Sequence, residues 1–387
     1  MKQVVLRGPL ITSSGYGEHA RQVFRWANSK KDWNVSTQLT PWGNTTWLIN
    51  PDYMGGVIGD IMQRSGPLER VGSDISFQIQ LPNEWDPMLA RFNVGVTAAV
   101  ETDVCNPEWV QACNKMDLVI VPSNHTRQTI MNSGEVTTPV EVVPEAYFDD
   151  LAYSRIDSLD LNLSTDFNFL MIGTLTGNNP WNDRKNTYCT IKWFCETFKD
   201  NPNVGLIVKA SSGRATTLDR LLTKRALNQL LDEVREGPYP RVNLLHGLMS
   251  GDEMSALYRD SSVKCFIGLT RGEGYGLPIL EAATSGIPVI ATNWSGHLDF
   301  MRMGKFIDVD YKLLNIHESR VDNQIFMEGS RWAEPSENHF KRRLKKFYEK
   351  PDPPKQWARE LSEKLRETHS IESIFEHYDS VWDKNAK

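Results

Sequence analysis

The segment TRGEGYGLPILEA, Thr270 to Ala282, holds two carboxylates, Glu273 and Glu281, with seven residues between them. Gly274, Tyr275, Gly276, Leu277 and Pro278 lie in that interval. Glycines let a backbone approach a ligand closely, Pro278 suits the first residue of a helix, and free N–H groups at a helix start favour an anion. Glu281 then falls in the first turn, where its carboxylate can accept hydrogen bonds from two neighbouring hydroxyls, as a ribose diol would offer. Glu273, before the turn, reaches a different part of the same ligand. The plain alternative is a capped helix with acids near its positive end.

An anion at that helix start also needs positive charge. GTLTGNNPWNDRKN carries Arg184 and Lys185 after a strand and just before a helix, and GLIVKASSG puts Lys209 at the C-terminal end of another strand. In open α/β sheets these strand ends face the ligand crevice. Three cations there neutralise a diphosphate without a metal. The alternative is that each is an ordinary solvated cation. Lys209, which directly continues the apolar run GLIV, fits that alternative least.

These residues need a scaffold that brings strand ends together. QVVLRG, NVSTQL, DISFQIQL, FNVGVTAAV, DLVIVP and VEVVP read as strands bounded by Gly, Pro, Asn or Asp, with helical stretches at Glu18 to Ala27 and Pro107 to Asn114. After Pro144 the acidic FDDLAYSRIDSLDLNLSTD reads as a linker. Alternation resumes with FNFLMIGT, NVGLIVKA, RVNLLHG, VKCFIGL, IPVIAT and KFIDV. The pattern predicts an α/β protein with two Rossmann-like halves: residues 1–150, a linker at 151–165, and residues 166–333. Helices alone follow over 334–387, where KRRLKKF reads as a solvated face with Leu344 and Phe347 turned inward.

Composition narrows the class. A chain of 387 residues exceeds one ordinary core. No apolar run approaches a membrane span, and MKQVVLRGPL reads as a strand rather than a signal peptide. Five cysteines without paired spacing argue against a disulfide framework or a zinc cluster and fit a reducing, cytoplasmic setting. A net charge of -6 gives no global attraction for nucleic acid, though it leaves a local basic cleft open. Oligomeric state is not legible.

RGEGYGLPILEAATSGIPVIAT resembles the E-x7-E signature of family 4 glycosyltransferases, retaining enzymes of GT-B fold. VNLLHGLMSGDEMSALYRDSSVKCFIGLT resembles the family's approach to that motif, and VPSNHTRQTI and VEVVPEAYFD resemble segments near the end of its first domain. The resemblance covers most of the chain. It implies two Rossmann-like domains facing a cleft, with the C-terminal helices packing back across them. It also implies a nucleotide-diphosphate sugar as co-substrate, with no metal and no further cofactor. Glu281 would bind the ribose and Glu273 hydroxyls of the transferred sugar. Lys185 and Lys209 would hold the diphosphate, received by the turn Gly274, Tyr275, Gly276 and Leu277. Many members carry an arginine after the glycine corresponding to Gly173, where this chain has Thr174. Arg184 stands as its substitute, which leaves Arg184 or Lys185 as the main phosphate contact.

In the first half GPLITSSGYGEHARQVF reads as a strand end, a Ser/Gly loop and a helix, and resembles the family's glycine loop. Gly15 and Gly17 would let it fold under the donor's phosphates. VGVTAAVETDVCNPEW ends a strand on Glu101, Thr102 and Asp103 and resembles a subgroup with E-T-D where many members carry a histidine. Glu101 is therefore the candidate nearest the reaction centre, as hydrogen-bond acceptor or base; the alternative is a plain turn. Trp42, Trp47, Tyr53 and Trp85 stand among turn formers after strands, where sugars or bases stack or where rings pack the rim. With Asp103, Trp42, Trp47 and Trp85 are the acceptor candidates. His125 reads as a capping neighbour, and His297 follows the last core strand, where Ser295 or Gly296 backbone would meet a donor.

The acceptor stays open among saccharides, lipids, proteins and hydroxylated DNA bases. The GPLITSSGYG start and the E-T-D region resemble phage-encoded transferases, which brings in a modified base flipped into an aromatic cleft; the acidic charge counts against it. Of three rivals, two remain in view. A metal-dependent GT-A enzyme would use Asp-x-Asp, but Asp308 to Asp310 comes after the donor motif. A GT-B epimerase or hydrolase and a non-catalytic nucleotide-sugar-binding protein share the architecture.

Overall fold

The computed structural model describes residues 1–66, 72–153, 156–175 and 179–386. Residues 154–155 of the expected linker and 176–178 of the loop before Arg184 lie outside them. The chain forms two compact units, Met1–Ala146 with Asp322–Ser330 and Ile371–Lys387, and Tyr147–Val321 with Arg331–Ser370.

In unit 1 the strands are β1 (Lys2–Gly8), β2 (Trp33–Leu39), β3 (Ile75–Ile79), β4 (Phe92–Val96), β5 (Leu118–Val121) and β6 (Val140–Val142). They form one parallel sheet in the order β2-β1-β3-β4-β5-β6. Helices α1 (Gly15–Asn28), α2 (Val57–Gln63), α3 (Pro107–Cys113) and α4 (Asn124–Met131) connect them. Leu6, Phe77 and Val94, paired across three strands, face Ala20, Phe24 and Trp26 of α1 in one core.

Unit 2 begins with a short helix, α5 (Asp150–Tyr153), inside the stretch read as linker. Leu159, Leu161 and Leu163 of that stretch pack on the unit's core, which is why a polar-looking segment keeps its scattered leucines. Its strands are β7 (Phe167–Thr174), β8 (Val204–Ser211), β9 (Arg241–Leu245), β10 (Val263–Gly268), β11 (Val289–Thr292) and β12 (Ile307–Val309). They make a second parallel sheet in the order β12-β11-β10-β7-β8-β9. Their near-continuous apolar runs are those of strands buried on both faces. Helices α6 (Thr187–Thr197), α7 (Thr217–Val234), α8 (Gly251–Arg259), α9 (Leu277–Ser285) and α10 (Leu298–Met301) connect them.

An antiparallel pair, β13 (Tyr311–Asn315) with β14 (Arg331–Pro335), follows and has no counterpart in the sequence reading. Then come α11 (Glu337–Glu349), α12 (Asp352–Thr368) and α13 (Ile371–Asn385). Leu344 and Phe347 of α11 are buried in unit 2. Helix α13 packs within unit 1, where Tyr378 stacks on Trp26 at 4.9 Å and Asp379 accepts from the Trp26 indole at 2.7 Å. Among the described residues no helix is long and apolar enough to cross a membrane.

Candidate functional site

Strand order in unit 2 reverses at β7, which lies between β10 and β8. In an open parallel sheet the loops beyond such a point diverge and leave a crevice at the carboxyl ends. The loop after β7 carries Arg184 and Lys185, and the loop after β10 carries Glu273. The structure joins them: Lys185 Nζ donates to Glu273 Oε1 at 2.7 Å, and Arg184 donates to Glu273 Oε2 at 3.3 Å and to the Gly272 carbonyl at 2.7 Å. Beside Lys185 and Glu273 a small depression runs along Gly268, Thr270, Thr190 and Pro278.

Glu273 is buried. Burial by itself would raise its carboxyl, but the Lys185 and Arg184 charges outweigh that and hold it at about 2. Its backbone is fixed as tightly. The Glu273 N–H donates to Ser295 Oγ at 2.9 Å, and its carbonyl accepts from the Gly296 N–H at 2.9 Å. Ser295 holds φ of 89°, and a Cβ on Gly296 would come within 2.1 Å of the Gly274 carbonyl oxygen, so the two loops are in backbone contact. His297 is fully buried below them, with Nε2 at 2.7 Å from the Thr292 carbonyl oxygen; burial lowers its imidazole to about 4 and keeps it neutral. It is a support of the turn.

The turn itself differs from the expectation. Gly276, at φ of 103°, caps α9, and Leu277 precedes Pro278 as the first helical residue. Tyr275 does not face outward: it is buried and packs against Phe300 at 5.2 Å, because the turn must anchor to the core beneath α10. Only its backbone can meet a ligand. Glu281 lies beyond the first turn of α9 and not in it, because the helix already starts at Leu277, and Tyr258 of α8 donates to its Oε2 at 2.8 Å. Lys209, paired in register with Ile172 and Leu245, is half-buried and donates to the Gly247 carbonyl at 2.6 Å. Burial lowers its ammonium against the opposing pull of Glu253.

One residue of the opening motif escaped the sequence reading. Arg271 is 2% exposed, although an arginine in a loop ordinarily reads as solvated. Its guanidinium donates to the carbonyls of Pro180 and Asp183, at 2.5 and 2.7 Å, and to Glu334 of β14 at 2.7 Å, and it lies 5.5 Å from the Trp332 ring centre. The Arg271 N–H donates to the Arg184 carbonyl at 2.8 Å. Arg271 thus clamps the 180–185 loop against the loop after β10, and Asp183 secures the next helix by accepting from the Tyr188 N–H at 3.1 Å. The unexpected pair β13–β14 supplies the clamp's carboxylate.

In unit 1 several expectations need correction. Gly15 and Gly17 are not in a loop but in the first turn of α1, capped by Ser14, whose hydroxyl accepts from the Gly17 N–H. A Cβ on Gly17 would sit 2.2 Å from the Thr12 carbonyl oxygen, so that glycine serves packing; one on Gly15 would meet nothing. Strand β4 ends at Val96, not at Glu101. Thr97 Oγ1 accepts from the Ala99 N–H at 3.1 Å, and Ala99 at φ of 47° turns the chain out of the sheet. Glu101 and Asp103 lie half-buried in the bend that follows. Trp85 is 8% exposed and covers Gly95, leaving it little face for a ligand. Trp47 is 44% exposed, and Trp42, half-buried, stacks on Tyr16 at 3.9 Å. The Tyr16 hydroxyl is 2.9 Å from Thr97 Oγ1, next to the bend carrying Glu101.

Comparison with known proteins finds a likeness over the segment that carries the motif and across the fold. Residues 236–315 match the family model "Glycosyl transferases group 1". A sucrose synthase from Melioribacter roseus is 29% identical over 125 residues, 31% of this chain and 16% of that protein. The chain therefore spans only a small part of that relative. Among solved structures, sucrose-phosphate synthase from Thermosynechococcus elongatus is similar over 99% of both chains, with TM-score 0.61 and 13% identity. HepE from Anabaena in complex with UDP and glucose has TM-score 0.63 and 13% identity, over 99% of this chain and 100% of that one. The α,α-trehalose 6-phosphate synthase from Burkholderia multivorans has TM-score 0.64 and 10% identity, over 100% and 97%. The two parallel sheets are thus those of the GT-B fold.

Proposed function

We propose that the protein is a glycosyltransferase that moves a sugar, with retained anomeric configuration, from a nucleoside diphosphate sugar to an acceptor hydroxyl. The observation that carries this reading is the part-buried meeting of Lys185 and Arg184 with Glu273 at the switch point of the unit 2 sheet. Two cations held beside an ionised carboxylate form a site whose positive charge is stored and oriented before an anion arrives. An incoming diphosphate competes with Glu273 for Lys185 and Arg184. The carboxylate so released accepts hydrogen bonds from hydroxyls of the transferred sugar. Glu281, oriented by Tyr258, takes the ribose diol, and Lys209 adds to the charge that meets the leaving group.

In the transfer the bond from the anomeric carbon to the diphosphate oxygen breaks and a bond to the acceptor oxygen forms. The acceptor's proton passes to the departing diphosphate. Charge builds on that leaving group, so fixed cations beside it lower the barrier most. Glu101 of unit 1 is the proposed hydrogen-bond acceptor for the incoming hydroxyl. The complex of HepE with UDP and glucose makes UDP-glucose the first donor to try.

The experiment is product analysis with UDP-, GDP-, ADP- and dTDP-sugars, with and without added saccharide acceptors. Acceptor-dependent release of nucleoside diphosphate supports the reading. Conversion of the sugar without an acceptor would point to an epimerase or hydrolase, and tight nucleotide binding without turnover to a binding protein.

A further inference from the structure

Helix α7 carries on its outer side what a merely solvated helix would not. Leu227, Leu230 and Leu231 turn into the core of unit 2, and Thr223, one turn earlier, is buried with them. Leu218, Leu221 and Leu222 point the other way, 67%, 61% and 52% exposed. No other five consecutive residues among those described hold three exposed large apolar side chains. Single exposed leucines are ordinary, but a contiguous group marks a surface that meets something.

The charge around these leucines is one-sided. From Ser211 to Leu231 the cations are Arg214, Arg220, Lys224 and Arg225, and the one acid is Asp219. Asp219 is buried and spent inside: it accepts from the Ser212 and Arg214 N–H groups and lies 2.6 Å from His246 Nε2. The four cations are exposed, and among the described residues none of them has an ion pair. The next acids, Asp232 and Glu233, stand beyond the leucines at the far end of the helix. The whole chain carries a net charge of -6, so this concentration of positive charge is local.

We propose that the outer face of α7 docks the protein on an anionic membrane surface. The three leucines enter the boundary between headgroups and acyl chains. Arg220, Lys224 and Arg225 meet lipid phosphates, their long stems letting the charged ends stay in the headgroup layer. Apolar and cationic groups in one short patch match that boundary, which offers hydrocarbon and negative charge together. A nucleic acid would leave the leucines unused, since its backbone presents phosphate and sugar. A second copy meeting the same face would set these cations against their own counterparts. The leucines stand in the first turns of α7, just after the loop that leaves β8, so the bilayer lies beside the carboxyl edge that carries Lys209.

Flotation of the full chain with vesicles tests it, using phosphatidylcholine alone and phosphatidylcholine mixed with phosphatidylglycerol. The protein should float with the mixed vesicles only, and less of it as salt rises. Each cation near such a surface strengthens binding roughly fivefold, so the triple variant Arg220→Gln, Lys224→Gln, Arg225→Gln should bind on the order of a hundredfold more weakly. Leu218→Ser, Leu221→Ser and Leu222→Ser together should abolish flotation even at low salt. These side chains are exposed, so that variant should keep the wild-type Tm. No flotation with mixed vesicles, equal flotation with both kinds, or wild-type binding by either triple variant overturns the proposal. Polyglutamate bound as tightly as the vesicles also overturns it, by assigning the face to an acidic protein segment. So does a dimer that the leucine variant dissociates, by assigning the face to a second copy. Should the leucine variant fail to fold, the charge variant decides alone.

Discussion

Replacing Glu273 by Gln keeps the shape of the side chain and removes the one charge that neutralises Lys185 and Arg184. The structure sets the size of the effect. The carboxyl is held at about 2 instead of its ordinary 4.5, and at about 1.4 kcal/mol per pH unit that difference corresponds to roughly 3 kcal/mol. Because the folded value is depressed, this stabilisation is fully present above about 4.5 and is lost as pH falls toward about 2. At pH 7 the Gln variant should therefore be less stable than the wild type by roughly 3 kcal/mol, on the order of 6–12 °C in Tm for a unit of this size. The gap should narrow by roughly 1 kcal/mol by pH 3.5, where the carboxyl is already protonated in the unfolded chain but still ionised in the folded protein. Calorimetry of both proteins between pH 7 and pH 3.5 measures it. A gap that stays constant over that range, or a variant as stable as the wild type at pH 7, would refute the argument that these two cations stabilise an ionised Glu273. The same variant frees both cations for an incoming diphosphate, so UDP should bind it no more weakly than the wild type even though the fold is weaker.

Other outcomes follow from the same geometry. Arg271→Lys keeps the charge but loses the fork that holds Pro180, Asp183 and Glu334 together, and a buried carbonyl left without its donor costs roughly 1–3 kcal/mol; thermal unfolding should show that loss and UDP titration a weaker site, whereas an unchanged UDP affinity would remove Arg271 as a clamp of the 180–185 loop. Tyr258→Phe removes one hydrogen bond to Glu281 and should weaken nucleotide binding by about 1 kcal/mol, roughly fivefold; no change would show that Tyr258 does not orient Glu281. Lys209→Met should fold, since it replaces a half-buried ammonium with an apolar chain, and should lower kcat more than it raises KM; normal turnover would dismiss Lys209 from leaving-group stabilisation.

How far the sequence reveals this molecule depends on whether a residue's partners are near it in the chain. The parallel strands are legible because runs such as LVIV and VGLIVKA admit little else between Gly, Pro and Asp boundaries. Lys209 and the Glu273–Glu281 turn are legible for the same reason, each standing directly at the end of such a run. Gly15 and Gly17 read as loop because glycine weakens helices; the Ser14 cap and the close approach of α1 to Thr12 make them helical, and both are tertiary facts. Trp85 reads as a ligand face because it sits among turn formers, yet Gly95 on the next strand leaves room for its ring. Arg271 was invisible because its partners, Pro180, Asp183 and Glu334, lie far from it in sequence. Strands β13 and β14 show no clean alternation and were missed with it.

The central claim is that unit 2 is built to hold a nucleoside diphosphate sugar through Lys185, Arg184 and Glu281. Thermal unfolding of the wild type and of Glu281→Ala with UDP-, GDP-, ADP- and dTDP-sugars tests it most directly. A ligand at a hundred times its Kd adds about 2.7 kcal/mol to the folded state, so at least one of the four should raise the wild-type Tm by several degrees and fail to do so in Glu281→Ala. A wild type that responds to none of them, or a Glu281→Ala variant stabilised as much as the wild type, would contradict the account.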